Sequence, residues 1–480
     1  MSGRGTGKLA RLVLRRDRII LPIWVLFFSL FPVSLASSIK NLYPTDADRQ
    51  EYFANNASNA GYRALFGPAY SADLGALVAQ RMTDVKVIIA LISLLVVIRH
   101  TRTEEDARRR ELLAATPVGR QAPVNAVLLV TVLANLVLGA VFAAGISGLG
   151  LAGGGTLALA FALAMSGILF AAAGALVAQV TSSARTARGI GILFLALCYL
   201  IRLVADAGGP DSGLAWLAWL SPFGWLQKVA PYTDDNWALF LLVIALAAAF
   251  ALGAYTLNGR RDLGAGLLAD RLGRAEGSPA LGGPLALAWR MHRVALLGWA
   301  VAFGVAGAFF GGIADEAGQN AGDNETARDI IARMGGHESL SDSFMVSLTS
   351  LVGLVGAGYA VQTVLRMRAE ETAGRVEPVL ATSVSRLRYA ASHLFFTLLG
   401  PAVALLLYGV VAGLAYGAST DDVGGELPAV LGGALVQLPA IWLVGAITVL
   451  AFGLLPGSPP PAGWPWRSAS SSASSVRSST

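Results

Sequence analysis

An all-helical protein threaded many times through a membrane is the fold class this sequence predicts, on three observations. Apolar runs recur from end to end, charged residues make up only 14% of the 480, and one block of spans and charges occurs twice. A soluble domain carries about 25% charged residues. A bilayer core roughly 30 Å thick asks a helix for about 20 apolar residues, which is the length of the runs seen here. Continuous apolar stretches such as 157–180 and 237–257 exclude a β-barrel, whose strands alternate apolar and polar residues.

Ten spans are expected, over 19–38, 79–98, 124–148, 156–181, 189–206, 237–257, 294–314, 345–365, 390–416 and 427–455. The segments falling on one side of these spans hold 25 of the 36 Lys and Arg. The opposite segments are poor in basic residues, and the last two are acidic through Asp315, Glu316, Asp323, Glu325, Asp329, Asp421, Asp422 and Glu426. The positive-inside rule therefore predicts a multi-pass plasma-membrane protein with a cytoplasmic N-terminus. The net charge of +6 sets topology here and does not point to nucleic acid. Arg15, Arg16 and Arg18 ahead of an apolar stretch ending at Ser34-Leu35-Ala36 could pass for a signal peptide, but the same element recurs in mid-chain.

That recurrence is residue for residue. Arg15, Arg18 and Trp24 return as Arg290, Arg293 and Trp299, each triplet opening a span. The segment Arg102–Arg120 returns as Arg368–Arg386, with identities at Arg102/Arg368, Glu104/Glu370, Glu105/Glu371, Arg109/Arg375, Glu111/Glu377, Ala115/Ala381, Thr116/Thr382, Val118/Val384 and Arg120/Arg386. Both copies run in the same orientation, a parallel repeat about an axis along the membrane normal.

The expected organisation is a basic N-terminus (1–18), a first repeat (19–257), a linker (258–293), a second repeat (294–456) and a tail (457–480). The second copy lacks counterparts of 185–257, and its place is taken by a Pro-rich then Ser-rich tail with nothing to bury. The abrupt change at Pro456 admits two explanations, a frameshift or a natural short form. Ten spans in place of twelve predict impaired transport unless another chain completes the body.

The duplicated charged segments, 99–120 and 366–388, carry the strongest functional signal. Glu105 stands four residues before Arg109, and Glu371 four before Arg375, the favourable order for a helical pair. Leu112, Leu113 and Ala115, like Val379, Leu380 and Ala381, give an apolar side, so each segment predicts a short amphipathic helix. Topology requires positive charge but not matched glutamates. A charged loop that only sets topology and binds anionic lipid is the plainer alternative.

The pattern E-x-x-x-R-x-E-L-L-x-A-T-P-V-x-R between second and third spans resembles the coupling helix of type-2 ATP-binding-cassette exporter permeases. In duplicated form the chain is similar to actinobacterial permeases that export antibiotics, including polyketides. That resemblance implies a separate cytoplasmic ATP-binding subunit, two copies of it, docking on the coupling helices. It implies that Arg102, Glu104, Glu105, Arg109, Glu111, Thr116, Arg120, Arg368, Glu370, Glu371, Arg375, Glu377, Thr382 and Arg386 form the ATPase-facing set.

Weaker signals are each weighed against a structural reading. The stretch Gly3–Lys8 lacks the spacing and the preceding strand of a phosphate loop, so neither a catalytic residue nor a cofactor is expected in this chain. Arg202, the one cation well inside an apolar run, with Asp206 one turn on, is expected to snorkel from the outer end in a structural role, with substrate contact as the alternative. Trp216, Trp219 and Leu220–Trp225 read as an aromatic belt or a re-entrant element. Cys198 is a small core residue. His100, His292, His337 and His393 are scattered, so no metal site is expected. Gly304, Gly307, Gly311 and Gly312 suit close helix packing.

The function expected is permease of an exporter for a small amphipathic molecule, with membrane lipid as its other partner. A secondary transporter, which would carry mid-membrane carboxylates or broken helices, and a non-transporting scaffold are the rivals.

Overall fold

A computed structural model describes residues 3–58, 60–107, 116–151, 153–210, 212–262, 264–267, 281–322, 340–372 and 374–454. The described residues are helical, with no strand among them, and nine helices are long and apolar enough to cross a membrane. The chain divides into two compact units, Met1–Leu272 and Gly273–Thr480.

In the first unit the helices run α1 Thr6–Arg16, α2 Ile20–Leu42, α3 Asp46–Ser58, α4 Ala60–Phe66, α5 Leu74–Arg81, α6 Thr83–His100, α7 Arg102–Asp106, α8 Ala122–Gly148, α9 Gly154–Val180 and α10 Ala184–Ala207. A 3₁₀ turn at Ala215–Leu220, α11 Pro222–Lys228 and α12 Leu239–Arg260 complete it. Pro123 opens α8 in the first turn, where its missing N–H costs nothing.

The helix α9 is the axis of this unit. Its run of Ala and Gly lets neighbours approach closely, and its buried residues belong to three apolar clusters shared with α1, α2, α5, α6, α8, α10, α11 and α12. The expected second span, 79–98, is broken at Met82 into α5 and α6. Asp84, Lys86 and Arg99 lie in α6, so it is less purely apolar than the nine. The basic N-terminus is not a tail: α1 buries Leu9, Ala10 and Val13 against α8 and points Lys8, Arg11 and Arg15 outward.

The second unit holds α13 Pro284–Gly322, α14 Leu340–Thr372, α15 Glu377–Leu380, α16 Arg386–Ser419, α17 Val423–Leu435 and α18 Leu438–Leu454. Helices α13 and α16 touch backbone to backbone. A Cβ at Gly307 would lie 2.6 Å from the carbonyl oxygen of Tyr408, and one at Gly311 would lie 2.3 Å from that of Ala412. Of the four glycines expected to pack, Gly304 meets Leu407 and Gly312 faces open space.

The expected tenth span, 427–455, is two helices, α17 and α18, broken by a turn at Val436–Gln437. A broken helix is therefore present where continuous spans were expected. Residues 455–480, including the tail and the proposed frameshift point at Pro456, lie outside the described residues.

Candidate functional site

The first charged segment lies at the basic end of the first unit, where α6 stops at His100 and the chain turns at Thr101. Five residues, Arg102–Asp106, then form one short turn of helix, and every polar side chain in it is tied to another element. Arg102 is fully enclosed; its Nη1 and Nη2 donate to the carbonyls of Ala265 and Gly264 at 3.1 and 2.9 Å, and Glu105 lies 3.2 Å away. Thr103 accepts from Arg188 at 2.9 Å, and Glu104 meets Arg16 of α1 at 2.8 Å.

Glu105 is the centre of this cluster. Its carboxylate receives both terminal nitrogens of Arg261 at 2.7 Å each and the backbone N–H of Gly264 at 2.7 Å. The Arg261 Nε donates to Gln179 at the end of α9 at 2.8 Å. The planar fork of an arginine matches a carboxylate in this two-pronged way. Arg120 closes the far side, donating to the carbonyl of Asn258 at 2.8 Å and to that of Arg261. Thr116 is exposed.

Arg109, Glu111, Leu112, Leu113 and Ala115 lie outside the described residues, and with them the expected Glu105–Arg109 pair. Among the described residues, the acidic member of that pair is bound by Arg261, which the sequence places in the linker and gives no role.

The second segment, in the second unit, is built differently. The helix α14 runs on to Thr372, and Gly374, at φ 69°, turns the chain out of it. A left-handed residue of this kind ends a helix. Arg375 beyond the turn folds back onto Glu370 at 2.5 and 3.0 Å, not onto Glu371 as its four-residue spacing suggested. That bond holds the Arg375 guanidinium above its ordinary value.

The expected amphipathic helix is reduced to one turn, α15, opened by Pro378. Val379 and Leu380 still pack on Met367, Val376 and Tyr389, whereas Ala381 is exposed. Glu371, Glu377, Thr382 and Arg386 are exposed, while Arg368 lies half-buried with its guanidinium 5.9 Å from the Phe452 ring.

At the opposite end of the first unit, Arg202 does not snorkel. It is fully buried, donating to the carbonyls of Ala64 and Leu65 at 2.5 and 2.9 Å and to Gln227 at 3.3 Å, with Asp206 at 3.5 Å and the Tyr199 ring 4.8 Å beneath it. The helix α4, through the carbonyls of Ala64 and Leu65, caps the cation before it can reach solvent. Nor is Arg202 alone: Lys86, 4% exposed, is buried in the same unit, and Asp84 accepts from Tyr199 at 3.5 Å. The signal for both was available, since Asp84 and Lys86, two residues apart, stand in the first half of the second expected span.

In α11, Phe223 and Leu226 are buried while Trp216 and Trp219 stay exposed, so the aromatic segment combines a docked turn with an exposed belt. Cys198 is buried, its carbonyl accepting from Ser221 at 2.6 Å.

The histidines are less scattered than their spacing suggests. His292 and His393 meet at 2.9 Å in the second unit. In the first, His100 meets Asp17 at 2.5 Å, with Arg99 3.2 Å from the same carboxylate. Asp17 is buried, which alone would raise its pKa. The hydrogen bond from His100 and the charges of His100, Arg99 and Arg16 outweigh that and hold it below the usual carboxylate range. His337 lies outside the described residues.

The family model described as "Multidrug efflux system permease Rv1217c, C-terminal domain" matches residues 8–257 and 281–471. The multidrug efflux system permease protein Rv1217c of Mycobacterium tuberculosis is 42% identical over 454 residues, which cover 94% of this chain and 82% of that relative.

Proposed function

This chain belongs to the family of the multidrug efflux system permease Rv1217c, and from that membership we propose that it is the membrane permease of a drug exporter. It moves amphipathic small molecules outward across the plasma membrane, on ATP hydrolysed by two copies of a separate cytoplasmic subunit.

The observation that carries the ATP-driven part is the charged segment used twice, Arg102–Arg120 and Arg368–Arg386, with its glutamates as well as its arginines kept in register. A loop that only fixed topology would need the arginines alone. The family match, which falls in two stretches separated near the linker, supports two like halves. The exposure of Glu371, Glu377, Thr382 and Arg386 leaves the second segment open to a partner. An amphipathic cargo fits spans whose buried charges are few and largely matched to one another.

Copurification with an ATP-binding subunit, sought first in the neighbouring reading frame, tests the reading. Glu371→Lys combined with Glu377→Lys is expected to weaken retention of the ATPase roughly tenfold, as reversing interfacial charges does. Unchanged retention together with unchanged efflux would overturn it.

A second reading, transport coupled to an ion gradient, draws on the half-buried Asp84, the buried Lys86 and the helix break at Val436–Gln437. Inside-out vesicles separate the two. Uptake of drug that needs ATP and the ATPase and survives an uncoupler supports the first, and uptake that needs neither and collapses with the uncoupler supports the second.

A further inference from the structure

The two charged segments match in sequence and differ in what holds them. In the second unit Glu371 is exposed. Its counterpart Glu105 has a side chain only 3% exposed and is gripped by Arg261, itself 7% exposed. Around that grip, residues 102–106 are tied to α1 through Glu104–Arg16 and to the start of α10 through Asp106–Ala184 and Thr103–Arg188. They are tied to the end of α9 through Arg261–Gln179, and to the strap after α12 through Arg102–Gly264 and Arg102–Ala265.

We infer that Glu105, Arg261 and Gln179 form a transmission joint, in which Glu105 is a positioning residue inside the permease and not a contact for the ATPase. The inference rests on the exporter reading above and refines which residues do what within it.

The physical argument is one of stiffness. Two parallel hydrogen bonds between a guanidinium and a carboxylate fix orientation as well as distance. The pair is almost wholly enclosed, so water cannot replace either bond without opening the cluster. A push on residues 102–106 is therefore passed to α9, α10 and α12 together, and α9 is the helix on which the rest of the unit packs. Without the joint the same push would be absorbed by rotation of a five-residue turn. Among the described residues no such tie reaches Glu371, so the first unit receives the stroke rigidly and the second presents the open docking face.

The test uses the full permease with its ATPase in proteoliposomes. Glu105→Gln, Arg261→Lys and Gln179→Met are expected to retain the ATPase at the wild-type level. Drug-stimulated ATP turnover and efflux should fall together by roughly tenfold, a usual size for loss of coupling between two sites. Arg261→Lys belongs in the set because it keeps the charge and loses the fork.

Release of the ATPase by Glu105→Gln would make Glu105 a docking contact and overturn the inference, and so would unchanged efflux in all three variants. If Glu105→Gln does not reach the membrane, Gln179→Met, which leaves the ion pair standing, decides alone: full coupling in it sinks the joint. Wild-type efflux that proceeds without any ATPase would instead remove the ATP-driven reading, a separate failure seen in a separate lane.

Discussion

Asp106 accepts a hydrogen bond from the backbone N–H of Ala184 at 2.7 Å, across 78 residues of chain. The first turn of α10 thus takes its cap from the charged segment 102–106, because Ser183 just before it makes no side-chain cap of its own. A carboxylate at a helix N-terminus satisfies an orphan donor and complements the helix dipole.

Asp106→Ala is accordingly expected to cost about 1 kcal/mol, the usual penalty for a lost N-cap. Hydrogen exchange should quicken at residues 184–188 and stay unchanged in α12. Protection that does not change at 184–188 would mean the cap contributes nothing.

Removing Arg202 should be far more damaging. Arg202→Met leaves the carbonyls of Ala64 and Leu65 without their donor and Asp206 without its cation, in a site closed to solvent. Breaking a buried ion pair at one partner costs about 3–5 kcal/mol. The melting temperature of the detergent-purified protein should drop sharply, and a melt within a degree or two of wild type would refute the assignment of Arg202 as a structural anchor.

Asp17 sets a pH dependence at the basic end of the first unit. Its pKa is lower in the folded protein than in the unfolded chain, so its contribution is fully present above the unfolded value of about 3.9. That contribution is lost as pH falls through the folded value. Stability measured from pH 6 down to pH 3 should decline more steeply in wild type than in Asp17→Asn, which is less stable at neutral pH and carries no titrating carboxyl there. Parallel curves for the two proteins would exclude Asp17 as a source of the acid sensitivity.

Gly311 and Gly312 form a matched pair of probes in α13. A side chain at Gly311 runs into the backbone of Ala412, which cannot swing aside. Overpacking of this kind costs about 1–3 kcal/mol. Gly311→Val should therefore lower the thermal midpoint clearly, while Gly312→Val, facing open space, should change it little. Equal effects at the two positions would show that α13 and α16 do not meet as described.

The membrane-spanning, all-helical character of this protein follows from the sequence alone. Twenty-residue apolar runs have one low-energy answer in a bilayer, where each backbone polar group must be satisfied within its own helix. The in-register recurrence of Glu104, Glu105, Arg109 and Glu111 as Glu370, Glu371, Arg375 and Glu377 was likewise legible, because identity of spacing survives without coordinates.

What those charges do was decided by tertiary structure. Spacing offers Glu371 and Arg375 to each other, but Gly374 takes the chain out of the helix and hands Arg375 to Glu370. Spacing says nothing of Arg261, yet a strap 156 residues from Glu105 supplies it with both nitrogens aimed at the carboxylate. Arg202 reads as a cation able to reach water until α4 is seen closing over it with Ala64 and Leu65. A hydrophobic period fixes which residues enter the membrane. The partner of a buried charge is fixed by whichever donor or acceptor the folded chain brings within about 3 Å, and helical spacing carries no information on that.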